Sequence, residues 1–266
     1  MARSALLNVM VQAALKAGKS LSRDFGEVQN LQVSLKGPGN YVSQADRKAE
    51  KIVREELLKA RPTYGFLGEE SEEIVGTDGA HRWIVDPLDG TTNFLHGIPL
   101  FGTSIALERS GEIVAGVIYN PATDDLFTAE RGGGAFVNDR RLRVSGRKNL
   151  SDSVIGCGVP HLGGRQHGRF LVQLRHVMGE VAGIRRLGSP SLDLAYVAAG
   201  RFDGFWEEYL SPWDVAAGTL LIREAGGFVS DLSGGNDFIE GGSIVAGNEH
   251  IHKALVEVAN RPIPKA

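Results

Sequence analysis

Residues 83–94 read WIVDPLDGTTNF, and no other stretch of the chain limits the possible folds as tightly. The Trp-Ile-Val run is strand-like and has to be buried. Yet it leads directly to two aspartates three positions apart, Asp86 and Asp89, separated by Pro87 and Leu88. Asp-Pro and Asp-Gly both favour chain reversal, but one carboxylate would serve a turn. Pro87 fixes φ at about −65° and removes an N–H, so the reversal is stiff and both carboxylates can face one side. Two carboxylates that close repel unless a cation lies between them. After Asp89, Gly90 lets the backbone approach a ligand closely, and the amides of Gly90, Thr91 and Thr92 are expected to open a short helix suited to an anion.

Periodicity places this stretch within the chain. The N-terminus carries Leu6, Leu7, Met10, Val11, Ala14 and Leu15 at three- and four-residue intervals, the stripe of an amphipathic helix. Asn8, Gln12 and Lys16 interrupt it too often for a signal peptide. An aperiodic connector around Gly37-Pro38-Gly39 follows, then a second helix that Ser43 opens and Pro62 closes. From TYGFLGEES onward the period shortens to strands, and the Ser110-Gly111 and Gly132 to Gly134 turns predict a mostly antiparallel meander. Beyond about residue 150 strands and helices alternate, with PWDVAAGTLLIREAG reading as a helix that has Pro in its first turn and a Gly pair after its end. With no repeat or low-complexity linker, 1–266 reads as one domain of two packed halves, about 1–150 and 151–266.

Composition narrows the function. Basic residues number 29 against 32 acidic, a net charge of −3, so the overall balance indicates neither nucleic acid nor an anionic membrane as a partner, and any phosphate site has to be local. No run of about twenty apolar residues marks a membrane span. Cys157 is the only cysteine, which excludes an internal disulfide and fits a reducing, cytoplasmic compartment. VIGCGVP offers it no base, so it reads as a small buried hydrophobe.

Acidic residues fall in three clusters, each at the end of an expected element: Glu69-Glu70, Asp86 with Asp89, and Asp214 in the first turn after Pro212. Singly, these suit a solvated loop, a turn and a favourable helix N-terminus. Together, hard oxygen ligands beside Gly-Thr-Thr suggest Mg²⁺, which prefers carboxylates plus a substrate phosphate. No His or Cys cluster has the spacing for zinc. Two cations about 4 Å apart would lower the pKa of an attacking water and stabilise a leaving alkoxide. No Ser or Cys lies beside a plausible base for a covalent route, and an aspartyl phosphate at Asp86 is disfavoured by its partner Asp89.

GEES, then WIVDPLDGTTNFLHGIPLFGTSIAL, then LGSPSLDLAYVAAGRFDGFWEEYLSPWDVAAGTLLIREAGG resemble the inositol monophosphatase family, most closely its bacterial inositol-1-monophosphatase branch, over essentially the whole chain. The resemblance implies an α/β (α+β) fold, a layered αβαβα sandwich of the inositol monophosphatase and fructose-1,6-bisphosphatase type. It also implies Mg²⁺-dependent, lithium-sensitive hydrolysis of a phosphate monoester, usually by a homodimer. Carried over by position, Glu69, Asp86, the Leu88 carbonyl, Asp89 and Asp214 would hold metal. Thr91 with Asp46 would orient and help deprotonate the attacking water, with Glu69 near it, and Gly90 and Thr91 would hold phosphate. Glu207 and Arg185, the latter with Arg186 adjacent, resemble positions that touch substrate. Two features depart from or extend the pattern. Pro190 replaces a more usual small residue and would stiffen the substrate-side loop, and Lys36 lies in a connector that in the family approaches a third, weaker metal position. Inositol 1-phosphate is the expected substrate, with histidinol phosphate, fructose 1,6-bisphosphate and 3′-phosphoadenosine phosphate as alternatives. A regulatory binding protein on the same fold is a further alternative, for which the basic stretches NDRRLRVSGRK and IRRLG are the only local hints.

Overall fold

The first helix, α1 (Ala5–Phe25), starts at Ser4, whose hydroxyl accepts from the Leu7 amide at 3.1 Å, and it buries Leu7, Met10, Val11, Ala14, Ala17 and Leu21. A computed structural model describes residues 3–27, 33–37, 40–160 and 167–262, with the side chains of 33–37 and 40–43 outside it. Pro38, Gly39 and the Lys36 side chain therefore lie outside the described residues. Where the sequence suggests only an aperiodic connector, β1 (Val33–Gly37) and β2 (Asn40–Ser43) form an antiparallel pair before α2 (Gln44–Ala60).

Seven strands follow in sequential order in one sheet: β3 (Gly65–Gly68), β4 (His81–Asp89), β5 (Gly102–Arg109), β6 (Glu112–Asn120), β7 (Asp125–Glu130), β8 (Gly134–Val137) and β9 (Arg140–Arg141). The expected meander is present, with Ser110 and Gly111 both at positive φ in a two-residue hairpin turn. The exception to antiparallel pairing is β3 with β4, which are parallel. A short helix, α3 (Thr91–Leu95), separates β4 from β5.

The second sheet comprises β10 (Val154–Cys157), β11 (Gly183–Arg185), β12 (Gly204–Glu208), β13 (Phe228–Ser230) and β14 (Ser243–Gly247), in the order β11-β10-β12-β14-β13. Its helices are α4 (His167–Met178), α5 (Pro190–Ala198), α6 (Pro212–Glu224) and α7 (Glu249–Ala259). The layers run αβαβα. Helices α1 and α2 cover one face of the larger sheet, α5 and α6 lie between the sheets, and α4 and α7 cover the far face of the smaller one. Each of the two central helices is buried on nearly every side, which explains why LDLAYVA and VAAGTLLI lack a clear polar stripe.

Strand β4 alternates between two cores. Trp83 and Val85 face α1 and α2, whereas Ile84 faces α5 and α6. With a period of two, Asp86 falls on the Ile84 side and Asp89 on the opposite one. The strand instead contains a bulge: Asp86 pairs with Ser104 and Asp89 with Gly102, so three steps on β4 match two on β5. The extra residue returns Asp89 to the same face as Asp86 and sends Leu88 into the core with Trp83. The stiff reversal expected at Pro87 is thus a bulge within a strand that continues to Asp89. A proline fits there because a bulge leaves one residue outside the ladder.

The central helices pack at backbone distance. A Cβ on Gly218 of α6 would lie 2.5 Å from the Leu194 Cβ of α5. Gly218→Val is expected to destabilise the fold by about 1–3 kcal/mol, read as a lower thermal midpoint in metal-free buffer; an unchanged midpoint would show that the two helices can separate freely.

Candidate active site

The acidic clusters meet because of pairing direction. As β3 and β4 are parallel and Gly68 pairs with Val85, the next residue of each strand, Glu69 and Asp86, emerges on the same edge, and the Glu69 amide donates to the Val85 carbonyl at 3.2 Å. From α2, buried Glu50 accepts the Glu70 amide at 2.8 Å and fixes the turn that carries Glu69. The third cluster arrives from the layer between the sheets, on the first turn of α6. Asp86, Asp89 and Asp214 each offer a carboxylate oxygen within 4.8 Å of the others.

One oxygen of each carboxylate is held in place. Asp86 Oδ1 accepts the Leu88 amide at 2.9 Å, and Asp214 Oδ2 accepts the Ser211 amide at 2.6 Å. Asp89 Oδ2 accepts the Ser189 hydroxyl at 2.6 Å, the Ser191 amide at 2.8 Å and the Ser191 hydroxyl. These bonds help to orient each carboxylate, and each group still offers an oxygen to a cation. Burial raises Asp86 well above the usual carboxylate range, and the charges of Glu69, Asp89, Asp214 and Asp46 add to the effect. Burial followed by the Asp89 charge does the same to Asp214. Asp89 is also raised by burial, with the serine bonds opposing. An all-oxygen donor set that repels itself, with one oxygen per group already oriented, fits a hard divalent cation.

Beside it, Thr91 Oγ1 lies 3.2 Å from Asp46 Oδ2 and 3.0 Å from the Leu88 carbonyl. Its single hydroxyl proton can go to only one of them at a time. Gly90 has φ 88° and touches the chain opposite, since a Cβ there would lie 2.8 Å from the Leu100 carbonyl oxygen. Asn93 donates to the carbonyls of Leu100 and Leu187, tying α3 to the loop that leads into α5.

The cleft over this cluster has a volume of about 300 Å³ and is lined by Glu69, Asp86, Leu88, Asp89, Gly90, Thr91, Glu207 and Asp214 among others. Arg185 does not line it. Its guanidinium turns back to the Ile184 carbonyl at 2.9 Å, while Arg186 faces the cleft. Arg186 is the first residue past the end of β11, where the chain runs on toward the cleft. Arg186 is also close enough to pull down the titration of Glu207, which burial and the Asp214 charge otherwise push well up. Pro190 occupies the first turn of α5 on the cleft wall. Cys157 is buried and its thiol is pushed up to about 12, first by burial and then by Asp193 and Glu207, in keeping with an inert side chain.

Four residues at the site escape a reading of the sequence alone: Glu50, Ser189, Ser191 and Asp193. Asp193 is buried on the cleft wall with Oδ1 unpartnered and is raised well above the carboxylate range by burial and Glu207. A signal for Glu50 was present, since it shares the buried stripe of α2 with Asp46, Val53 and Leu57.

A model of the Inositol monophosphatase family matches residues 2–263. The chain is 78% identical over 264 residues to the inositol-1-monophosphatase of Rhizobium meliloti (strain 1021), covering 99% of each chain. It is 46% identical over 263 residues to a Pseudomonas aeruginosa protein named Nus factor SuhB, covering 97% of each. Among solved structures, the extragenic suppressor protein suhB of Bartonella henselae matches with a TM-score of 0.96 at 68% identity, covering 98% of this chain and 100% of that one.

In metal-free protein, carboxyls with raised values stabilise the fold fully below their unfolded values of about 4, and that contribution is lost as pH rises through the raised values. The thermal midpoint after chelation is therefore expected to fall, relative to protein saturated with divalent cation, as pH rises above the unfolded values of about 4 and through the raised ones. Parallel midpoint curves with and without cation would contradict a metal role for the cluster.

Proposed function

The chain belongs to the inositol monophosphatase family and is a phosphatase, and from that premise we propose that it hydrolyses inositol 1-phosphate to inositol and phosphate with Mg²⁺. The observation that carries this reading is the meeting of Asp86, Asp89 and Asp214 beside the Thr91–Asp46 hydrogen bond. Asp86, Asp89 and Asp214, with Glu69 and the Leu88 carbonyl, are the residues that would hold Mg²⁺. When bound, Mg²⁺ supplies Lewis acidity to the phosphoryl and leaving oxygens and a more acidic attacking water. Thr91 Oγ1 takes the water's proton as it passes its own to Asp46 Oδ2, a relay the 3.2 Å contact permits. The amides of Gly90 and Thr91 take phosphate oxygens. Glu207 accepts hydroxyl hydrogen bonds from the alcohol, and Arg186, in the place first expected of Arg185, supplies the positive charge on that wall.

Because the metal-binding residues of this reading come from the larger sheet and α6, and Glu207 from the smaller sheet, residues 1–266 act in it as one functional domain. Cytoplasmic location, a homodimer and inhibition by lithium belong to the same reading. No helix among the described residues is long and apolar enough to cross a membrane.

A panel of phosphate esters assayed with Mg²⁺, with and without lithium, tests the assignment. Inositol 1-phosphate should be turned over fastest, and preference for a nucleotide, histidinol phosphate or fructose 1,6-bisphosphate would reassign the substrate. Asp89→Asn should reduce kcat roughly 100-fold or more while the protein still folds, because a cation's several kcal/mol convert at about 1.36 kcal/mol per tenfold. Arg186→Ala should raise KM roughly tenfold, whereas Arg185→Ala should not; equal effects would return Arg185 to the site.

A second reading, a regulatory binding role on the same fold, draws support from the relative named Nus factor SuhB and from the exposed Arg140, Arg141 and Arg143. If neutralising these three changes a cellular phenotype while phosphatase rates hold, the second role stands beside the first.

A further inference from the structure

Only Tyr209 and Leu210 join the end of β12 to Ser211, the cap of α6. This link connects Glu207 on one wall of the cleft to Asp214 on the other. It is pinned from outside by the Leu210 amide, which donates to the Gly242 carbonyl at 2.9 Å. So short a reversal needs a residue in the left-handed region, and Tyr209 has φ 68°. The other non-glycine residues at positive φ among the described residues are Ser110, Asp124, Asn138 and Asp139, all small polar residues between adjacent strands of the larger sheet. Such side chains can bond to nearby backbone and tolerate the conformation. A tyrosine has no such compensation, and glycine would make the same turn without strain.

Packing does not account for the aromatic ring either, since Tyr209 is 51% exposed. It borders the cleft, and it also borders a second, neighbouring cavity lined by Arg169 and Asp237. A bulky residue kept in a strained conformation at the mouth of a site points to use by a ligand. Phosphate lies at the Gly90–Thr91 end, so the alcohol extends along the opposite wall. Glu207 and Arg186 there can meet its hydroxyl groups but not the apolar C–H face of a ring. A tyrosine, apolar across its face and polar at its tip, is suited to that task.

We propose that Tyr209 is a specificity-determining residue that covers the ring face of a cyclic polyol phosphate. The inference rests on the phosphatase reading above. The test compares myo-inositol 1-phosphate with acyclic glycerol 2-phosphate in wild type, Tyr209→Gly and Tyr209→Phe, together with their thermal midpoints. Tyr209→Gly is expected to lower the preference for the cyclic ester roughly fivefold to tenfold, through KM, the span of an aromatic contact. Its midpoint should hold or rise because strain is relieved, and Tyr209→Phe should keep the wild-type preference. An unchanged preference in Tyr209→Gly, or equal KM increases for both esters with a lowered midpoint, would overturn the proposal by showing a purely structural residue. Wild-type protein inactive on both esters would instead overturn the phosphatase reading, and this inference with it.

Discussion

Like charges held close together in a poorly hydrated space are costly, and the arrangement of this molecule follows from accommodating them. At 4.8 Å, two ionised carboxylates repel by about 3.5 kcal/mol at an effective dielectric of about 20, and the cluster contains several such pairs. Set against a total stability of about 5–15 kcal/mol for a typical domain, that repulsion is not a detail. The protein meets it by three means: raised proton affinity of the buried carboxyls, hydrogen-bond donors on one oxygen of each group, and a placement that lets each group offer an oxygen to a shared cation.

The fixed donors explain why the layers are ordered as they are. Asp89 sits in the larger sheet but takes its donors from Ser189 and Ser191 at the start of α5, so the sheet and that helix must be in contact. Asp214 brings its own brace, the Ser211 amide, on the first turn of α6, where the helix's partial positive charge also favours an anion. Both helices lie between the sheets, and close contact through Gly218 and Leu194 fixes their separation. Positions in the cluster are thereby tied to the packing of the two central helices.

Much of this was legible in the residues. The amphipathic stripe of α1, the antiparallel run of strands and the later alternation of helix and strand follow local periodicity, and the structure contains all three. The three acidic clusters were visible because each interrupts an apolar pattern where an element ends. What could not be read was orientation. The β1–β2 pair has too little hydrophobic pattern to announce itself. Choosing Arg186 over Arg185 requires knowing where β11 ends and which way the chain leaves it, and a strand of three residues carries almost no periodic signal. Ser189 and Ser191 look like ordinary cap residues until Asp89 is seen 100 and 102 positions away in sequence. Glu50 was obscured among the many charges of α2.

The bulge in β4 has a consequence for inheritance. It makes the number of residues between the two aspartates matter as much as their identity. Deleting one residue at Pro87 or Leu88 would remove the bulge, and although two steps along a regular strand would keep Asp89 on the face of Asp86, the strand would lose the extra residue that lets Leu88 anchor in the core while its carbonyl meets Thr91 Oγ1. Substitutions can therefore drift through this segment, within the limits of packing, whereas insertions and deletions cannot. Among descendants of such a chain, a constant interval from Asp86 to Asp89 is a stricter mark of a working centre than the letters that fill it.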